Sequence, residues 1–337
     1  MSLPRRILEH ATYMITRRCS ERRFFLRPDA EVTRIVEFLI AVYADRHGIQ
    51  ILAWAVLSNH FHAVVADPDG TLPRFLQDLD SQIARALNAH WRRGESFWAP
   101  GSYNAVELDP IEDEANLIEK LTYVWSNPVA AGLVASPEEW PGLMTLPEHM
   151  GTYDHYRERP TTGYFSRDDS EPETTRERLD RVTGRRRPRR DAQPKREAKK
   201  HKPSTFPEGA LFQVQLPAHV EESEAETFRS RCREALDVLL EQIRAERAAN
   251  GQGFLGAAAV RRVDPFSAAG DTIPDFGLDP DLAPGRDEEA RIARIQELVA
   301  WRLEYALALE QWRDGNRAVR FPRGTYKVHV LHGALAA

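Results

Sequence analysis

Apolar and polar positions between 1 and 130 follow two different periods. Stretches in which apolar residues alternate with polar ones, or form short apolar runs, indicate strands, whereas spacings of three and four residues indicate helices. The pattern predicts strands at 9–18 and 103–108, a hairpin at 51–67, and helices at 29–48, 71–91 and 111–126. The predicted order is therefore strand, helix, strand, strand, helix, strand, helix.

Residues with known capping preferences set the limits of these helices. Asp29 and Thr71 are predicted N-caps, Gly48 is placed where a helix ends, and Pro128 is predicted to end the third helix. The buried side of that helix is predicted from its apolar residues, which are Ile111, Ala115, Ile118, Leu121, Val124 and Trp125.

This order predicts an α+β fold of the ferredoxin-like type, an antiparallel sheet with helices on one face. Three segments are expected: a domain at 1–150, a charged and proline-containing linker at 151–205, and a mainly helical domain at 206–337. In the last segment the spacing predicts helices at 221–248 and 287–312, and a turn and strand in FPRGTYKVHVLH. No catalytic motif is evident there.

Composition changes this picture in two respects. The chain of 337 residues has a formal net charge of −5, which excludes a uniformly basic coat but not local basic surfaces. Its two cysteines, Cys19 and Cys232, lack metal or redox spacing, and neither an apolar leader nor a membrane-length apolar run is evident. The sequence therefore predicts a soluble cytoplasmic protein without a membrane partner.

Two arginine clusters are candidate contacts for a phosphate backbone. One lies at the end of the first predicted strand and just after it, and contains Arg17, Arg18, Arg22 and Arg23 beside Phe24 and Phe25. The other lies in the linker, in RRRPRRDAQPKREAKKHK, and contains Arg185, Arg186, Arg187, Arg189 and Arg190. Arginines of both clusters are candidate DNA-binding residues, with ordinary solvated side chains as the alternative.

The clearest candidate chemistry lies in the hairpin, in the stretch AVLSNHFHAVVAD from Ala55 to Asp67. His60 and His62 flank Phe61 on the predicted second strand, so the two imidazoles lie on one face and Phe61 on the other. Such a pair makes half of a divalent-metal site if another ligand comes from elsewhere in the fold, and two surface histidines are the alternative.

The third helix carries a polar stripe formed by Asn116, Lys120, Tyr123 and Asn127. Tyrosines in helices usually pack half-buried, but the polar neighbours of Tyr123 make packing a weaker explanation here. Tyr123 and Asn127 are one helical turn apart, provided that the last turn extends to Asn127 before Pro128.

Two stretches together resemble a known family. SNHFHAVVADP, followed about sixty residues later by LTYVWSNPVAAGLV, resembles the single-tyrosine transposases of the HUH superfamily, most closely the REP-associated tyrosine transposases. The resemblance covers roughly residues 8 to 150. It implies that His60, His62 and Asn127 hold a metal and that Tyr123 is the nucleophile. The long C-terminal extension and the acidic overall balance depart from the family pattern.

The resemblance implies cleavage and rejoining of single-stranded hairpin DNA through a 5′-phosphotyrosine intermediate. A tyrosine hydroxyl is a poor nucleophile at neutral pH, so we expect Mg²⁺ or Mn²⁺ to assist it. Lys120 is a possible supporting residue, although a solvated helix lysine is the simpler interpretation. Tyr103 competes with Tyr123 by residue type but lacks an asparagine one turn later.

Two other functions remain open from the sequence. One is an HUH nickase that starts replication or conjugation, and the other is a domesticated protein that binds DNA hairpins without cutting them. The REP-associated branch looks monomeric and insertion-sequence relatives work as dimers, so the resemblance favours a monomer and leaves a homodimer open.

Overall fold

A computed structural model describes residues 4–161, 164–165, 206–270 and 288–336. The predicted arginine cluster at 185–190 lies outside these residues. No helix in the described ranges combines the length and apolar character needed to cross a membrane. Both cysteines are buried and free, and burial raises the pKa of both thiols.

Six elements form the ferredoxin-like unit that the sequence predicts. They are β1 (Ala11–Arg18), α1 (Ala30–His47), β2 (Gln50–Val56), β3 (His60–Asp67), α2 (Leu72–His90) and β4 (Asn104–Leu108). The sheet order is β2-β3-β1-β4, and every neighbouring pair is antiparallel. The predicted fold class is confirmed, with β1 and β3 at the centre of the sheet.

The two faces of the sheet are covered differently. On one face, the ring of Phe61 packs 5.3 Å from that of Trp54, which in turn contacts Phe75 of α2 at 6.4 Å between centroids. Helix α1 lies beside α2 in this layer. The opposite face carries His62, and α3 (Glu114–Ala130) packs there against β2 and β3. The sequence predicts two layers, one of strands and one of helices. Helix α3 forms a third layer on the other face of the sheet.

Helix α1 begins and ends where the sequence predicts. The Asp29 carboxylate accepts a hydrogen bond of 2.9 Å from the backbone N–H of Val32, which satisfies one of the free donors of the first turn. Gly48 terminates the helix with φ of +67°, a left-handed conformation that glycine adopts without a steric cost.

The N-terminus of α2 is capped by a different residue from the one predicted. Thr71 precedes the helix, but its hydroxyl donates to the carbonyl of His47 and caps no N–H of α2. Asp67, at the end of β3, instead accepts from the N–H groups of Thr71 and Leu72, both at 2.8 Å. The last residue of β3 therefore caps the N-terminus of α2, and these hydrogen bonds fix the position of the helix relative to the strand.

The third helix begins later and ends later than predicted. Helix α3 starts at Glu114, so Ile111 lies before it with 76% of its surface exposed, and Ala115 is exposed as well. Pro128 lies inside the last turn and does not end the helix, which continues to Ala130. A proline in a helix removes one backbone hydrogen bond and crowds the carbonyl four residues earlier, and burial of Pro128 and Val129 compensates for this in the last turn.

The C-terminal part is mainly helical, as predicted. Its elements are β5 (Tyr153–Glu158), β6 (Gly209–Val214), α4 (Ala225–Ala249), α5 (Ala257–Arg262), α6 (Glu288–Arg313), β7 (Arg320–Phe321), α7 (Lys327–His332) and β8 (Leu335–Ala336). The stretch predicted as a closing turn and strand forms the short β7 and the helix α7.

Segments on both sides of the predicted linker share one hydrophobic core. Strand β5 pairs with β6 in an antiparallel ladder, although 153–158 fall within the predicted linker and 209–214 beyond it. Phe212, Phe228 and Leu236 belong to the same buried cluster as the strands and helices of the ferredoxin-like unit. The core is therefore continuous across the predicted boundaries at 151 and 206, and the division into domains stays a prediction.

Candidate active site

The strand register places the predicted histidine pair at one end of the sheet. Thr16 lies opposite His62, and Arg18 lies opposite His60, in the β1–β3 pairing. Residues directly opposite in an antiparallel pair have side chains on the same face. His60, His62, Thr16 and Arg18 therefore share the face on which α3 packs, while Phe61 faces the α1 and α2 layer.

Helix α3 brings the other two predicted site residues to the histidines. The ring centroids of His60 and His62 are 4.8 Å apart, and that of Tyr123 is 5.2 Å from His62 in an edge-to-face contact. Asn127, one turn after Tyr123, lies close enough to His60 for its side chain to raise the pKa of that ring. The three predicted metal ligands and the predicted nucleophile therefore lie close together at one end of the sheet.

Each histidine is oriented by a polar neighbour. The Nδ1 atom of His60 lies 2.6 Å from Asn59 Oδ1, and Nδ1 of His62 lies 2.8 Å from Thr16 Oγ1. Since an amide oxygen only accepts, the Asn59 contact places the proton of the neutral His60 ring on Nδ1 and leaves Nε2 with its lone pair. Outer partners of this kind commonly orient histidines that bind metal ions.

Burial keeps both imidazoles uncharged at neutral pH. It lowers the pKa of His60 to about 4, with the nearby Arg18 charge acting in the same direction and the Asn127 side chain opposing it. Burial and the neighbouring His60 lower the pKa of His62 well below its usual value. Only a neutral imidazole offers a lone pair to a metal ion.

The donor set fits a divalent cation. No group of three or more His, Cys, Asp or Glu side chains is arranged for metal binding in the part of the chain that the structure describes. The candidate centre instead combines two neutral imidazoles with the Asn127 amide, and imidazole with carbonyl oxygen suits Mn²⁺ at least as well as Mg²⁺.

Tyr123 combines proximity to this centre with access from solvent. The side chain is 44% exposed, whereas His62 beside it is 6% exposed. The phenol ring is therefore accessible from solvent, beside a histidine that is buried. Lys120, the predicted supporting residue, forms an ion pair of 3.0 Å with Glu119, and its supporting role stays a prediction.

The four predicted arginines, of which two lie at the end of β1 and two follow it, differ in their surroundings. Arg17 is only 17% exposed and forms a 3.0 Å ion pair with Asp80, below the sheet on the α2 side. Arg23 pairs with Glu21 and donates to the carbonyl of Phe266. The carbonyl of Arg22 accepts from Asn59. Arg18 alone of the four lies opposite a site histidine.

Two outer partners, Thr16 and Asn59, were not identified from the sequence. Asn59 precedes His60 directly, so its position in SNHFH was a usable signal. Thr16 has no sequence signal, because its contact with His62 depends on the pairing register of β1 with β3. Tyr103, the competing tyrosine, lies immediately before β4 with the Arg5 guanidinium 4.4 Å above its ring.

Comparison with known proteins gives structural neighbours only. No family profile matches the chain, and no curated protein matches it. One solved structure, a REP-associated tyrosine transposase bound to a REP hairpin, is 21% identical with a TM-score of 0.37, over 45% of this chain and 88% of that one. A putative transposase from Deinococcus radiodurans R1 is 20% identical with a TM-score of 0.26, over 36% and 94%.

Proposed function

We propose that this protein is a DNA strand transferase of the transposase type, which cleaves and rejoins single-stranded hairpin DNA with the help of Mg²⁺ or Mn²⁺. The observation that carries the proposal is the convergence of His60, His62, Asn127 and the exposed Tyr123 at one end of the sheet. Because all four residues come from one chain, a monomer contains a full set of these groups.

The proposed reaction is a transfer of one phosphodiester bond to tyrosine. The Tyr123 oxygen forms a bond to phosphorus, and the bond from phosphorus to the 3′-oxygen breaks. The phenol loses its proton, and the released 3′-oxygen gains one to become a hydroxyl. The cleaved strand is left as a 5′-phosphotyrosine, and attack by a 3′-hydroxyl reverses the reaction without ATP.

The roles of the chain's own residues follow from their positions. His60, His62 and Asn127 would hold the ion, while Asn59 and Thr16 fix the two rings. When bound, the ion supplies positive charge that polarises the scissile phosphate. Tyr123 lies beside this centre on a helix, which limits its motion relative to β3.

A denaturing-gel assay tests the proposed function. Single-stranded hairpin DNA from the flanks of the gene is incubated with the protein and Mn²⁺, and a covalent protein–DNA adduct is expected that EDTA abolishes. Retention of hairpin binding without any adduct would contradict the proposal and favour a hairpin-binding protein that does not cut.

Arg18 is proposed to bind the phosphate that is cleaved. Its side chain shares a face with His60, its charge acts on that ring, and within the described ranges it has no ion pair. Since a charged hydrogen bond to phosphate contributes about 1.5–3 kcal/mol, we expect Arg18→Ala to slow adduct formation roughly 10- to 100-fold.

Arg17→Ala is the matched control for this prediction, because Arg17 neighbours Arg18 on the strand but pairs with Asp80 on the other side of the sheet. Its effect is expected on thermal stability, not on the rate measured at saturating DNA well below its unfolding temperature. An Arg18→Ala protein as fast as wild type would remove Arg18 from the site.

A further inference from the structure

Helix α4 lies along the tyrosine helix α3. Four of the five buried residues of α4 recur every four positions, at Phe228, Cys232, Leu236 and Leu240, and form one apolar stripe that enters the common core. One side of the helix that carries Tyr123 is therefore covered by the C-terminal part of the chain.

Polar contacts join α4 to both ends of α3. At the start of α3, the Glu114 carboxylate pairs with Arg231 and also with His219, whose Nε2 lies 3.2 Å away. At the end of α3, the Arg247 guanidinium donates to the carbonyl of Ala130 at 3.5 Å. Arg244 donates to the carbonyl of Ala135, just after the helix, at 2.9 Å.

The spacing of these contacts matches on the two helices. The interval along the chain from Arg231 to Arg247 equals the interval from Glu114 to Ala130. With a helical rise of about 1.5 Å per residue, both spans are about 24 Å, so the helices run parallel and in register. A slip of α3 by one turn, about 5.4 Å, would break the contacts at both ends together.

The same C-terminal segment also reaches the histidine side of the site. The carbonyl of Arg22 accepts from Asn59 Nδ2 at 3.2 Å and from the backbone N–H of Ala269 at 3.4 Å. Asn59 in turn holds the ring of His60. Residues 264–269 therefore support the outer partner of a candidate metal ligand, while α4 supports the helix of the candidate nucleophile.

We propose that the C-terminal segment 225–269 is a clamp that holds Tyr123 in register with His60 and His62, with Arg231 and Arg247 as positioning residues for the tyrosine helix. The clamp rests on the proposed function for its catalytic consequence. Its structural basis is independent of that function, because it consists of contacts between α3 and α4.

The test compares Arg231→Ala/Arg247→Ala with wild type and with Arg233→Ala. Arg233 is the matched control, because it lies on the same helix and forms ion pairs with Glu138 and Glu148, neither of which belongs to α3. At saturating hairpin DNA we expect adduct formation in the double variant to slow at least about tenfold, since a displacement on the order of 1 Å costs up to about 100-fold. The hairpin Kd is expected to change less than twofold, and Arg231→Lys/Arg247→Lys to restore most of the rate.

A merely stabilising role predicts another pattern. In that case the double variant and Arg233→Ala lose thermal stability alike and keep the wild-type rate of adduct formation, which would overturn the proposal. A rate that falls equally in both variants would also overturn it, because the contacts to α3 would then have no special effect.

Amide hydrogen exchange measures the clamp without relying on catalysis. In the free protein, exchange in α3 is expected to accelerate in Arg231→Ala/Arg247→Ala and not in Arg233→Ala. If wild type forms no adduct, the proposed function fails, while faster exchange of α3 still supports the clamp. Unchanged exchange in α3 overturns the clamp whatever the activity of the wild type.

Discussion

Replacing Tyr123 by phenylalanine is expected to abolish the covalent adduct with hairpin DNA. The substitution removes the one oxygen that the proposed reaction joins to phosphorus and keeps the ring that packs edge-to-face on His62. Loss of a covalent nucleophile typically costs on the order of 10⁴-fold or more, because no other group replaces the missing atom. The measurement is the fraction of labelled DNA that migrates with the protein on a denaturing gel in the presence of Mn²⁺.

Hairpin binding and folding should survive this substitution. Tyr123 is 44% exposed, so the lost hydroxyl leaves no buried cavity. Tyr103→Phe is the control, since Tyr103 is the competing tyrosine and lies under Arg5. If the adduct persists in Tyr123→Phe but disappears in Tyr103→Phe, the nucleophile is Tyr103. Tyr123 would then have no role as the nucleophile beside His60 and His62.

The sequence predicted the ferredoxin-like unit well, because its elements carry strong local signals. The apolar run of β3 indicates a buried strand, the stripe of α2 specifies one buried face, and Asp29 and Gly48 fix the limits of α1. Local patterns predicted Tyr123 and Asn127 as one-turn neighbours, and the structure places both beside the histidines.

Errors arose where a local preference gave way to packing or to a distant partner. Pro128 is unfavourable for a helix, but burial of the last turn of α3 outweighs the loss of one hydrogen bond. Thr71 occupies the N-cap position of α2, but the Asp67 carboxylate from the preceding strand accepts the hydrogen bonds from the backbone N–H groups there. Neither competition is visible in the sequence, since both depend on how separate elements pack.

Local patterns also do not predict how residues 206–337 contact the rest of the chain. A charged, proline-containing stretch separates 206–337 from 1–150, which favours a separate domain by composition. Strand β6 nevertheless pairs with β5, and α4 packs on α3. The pairing of Arg231 with Glu114 joins two positions that are far apart along the chain, and no local pattern predicts such contacts.

Replacing His62 by alanine is expected to remove metal-dependent cleavage and to weaken Mn²⁺ binding. His62 is buried and neutral, with Nδ1 held by Thr16, so its Nε2 atom is the ring nitrogen that remains for a metal ion. Loss of a ligand should cost at least the roughly 10- to 100-fold in metal affinity that is typical for loss of an outer partner. Calorimetric titration with Mn²⁺ and the adduct assay over a range of Mn²⁺ concentrations measure the two effects separately.

The matched control is His47→Ala, because His47 is also partly buried and hydrogen bonded, but it lies at the end of α1 and its partner is Asp78 of α2. It is expected to bind Mn²⁺ and form adduct like wild type. Thr16→Ala should give an intermediate result, since it frees the His62 ring without removing it. If His62→Ala bound Mn²⁺ as tightly as wild type and still cleaved DNA, the ion would have to bind elsewhere, and the two histidines would be only a buried polar pair beneath the tyrosine helix.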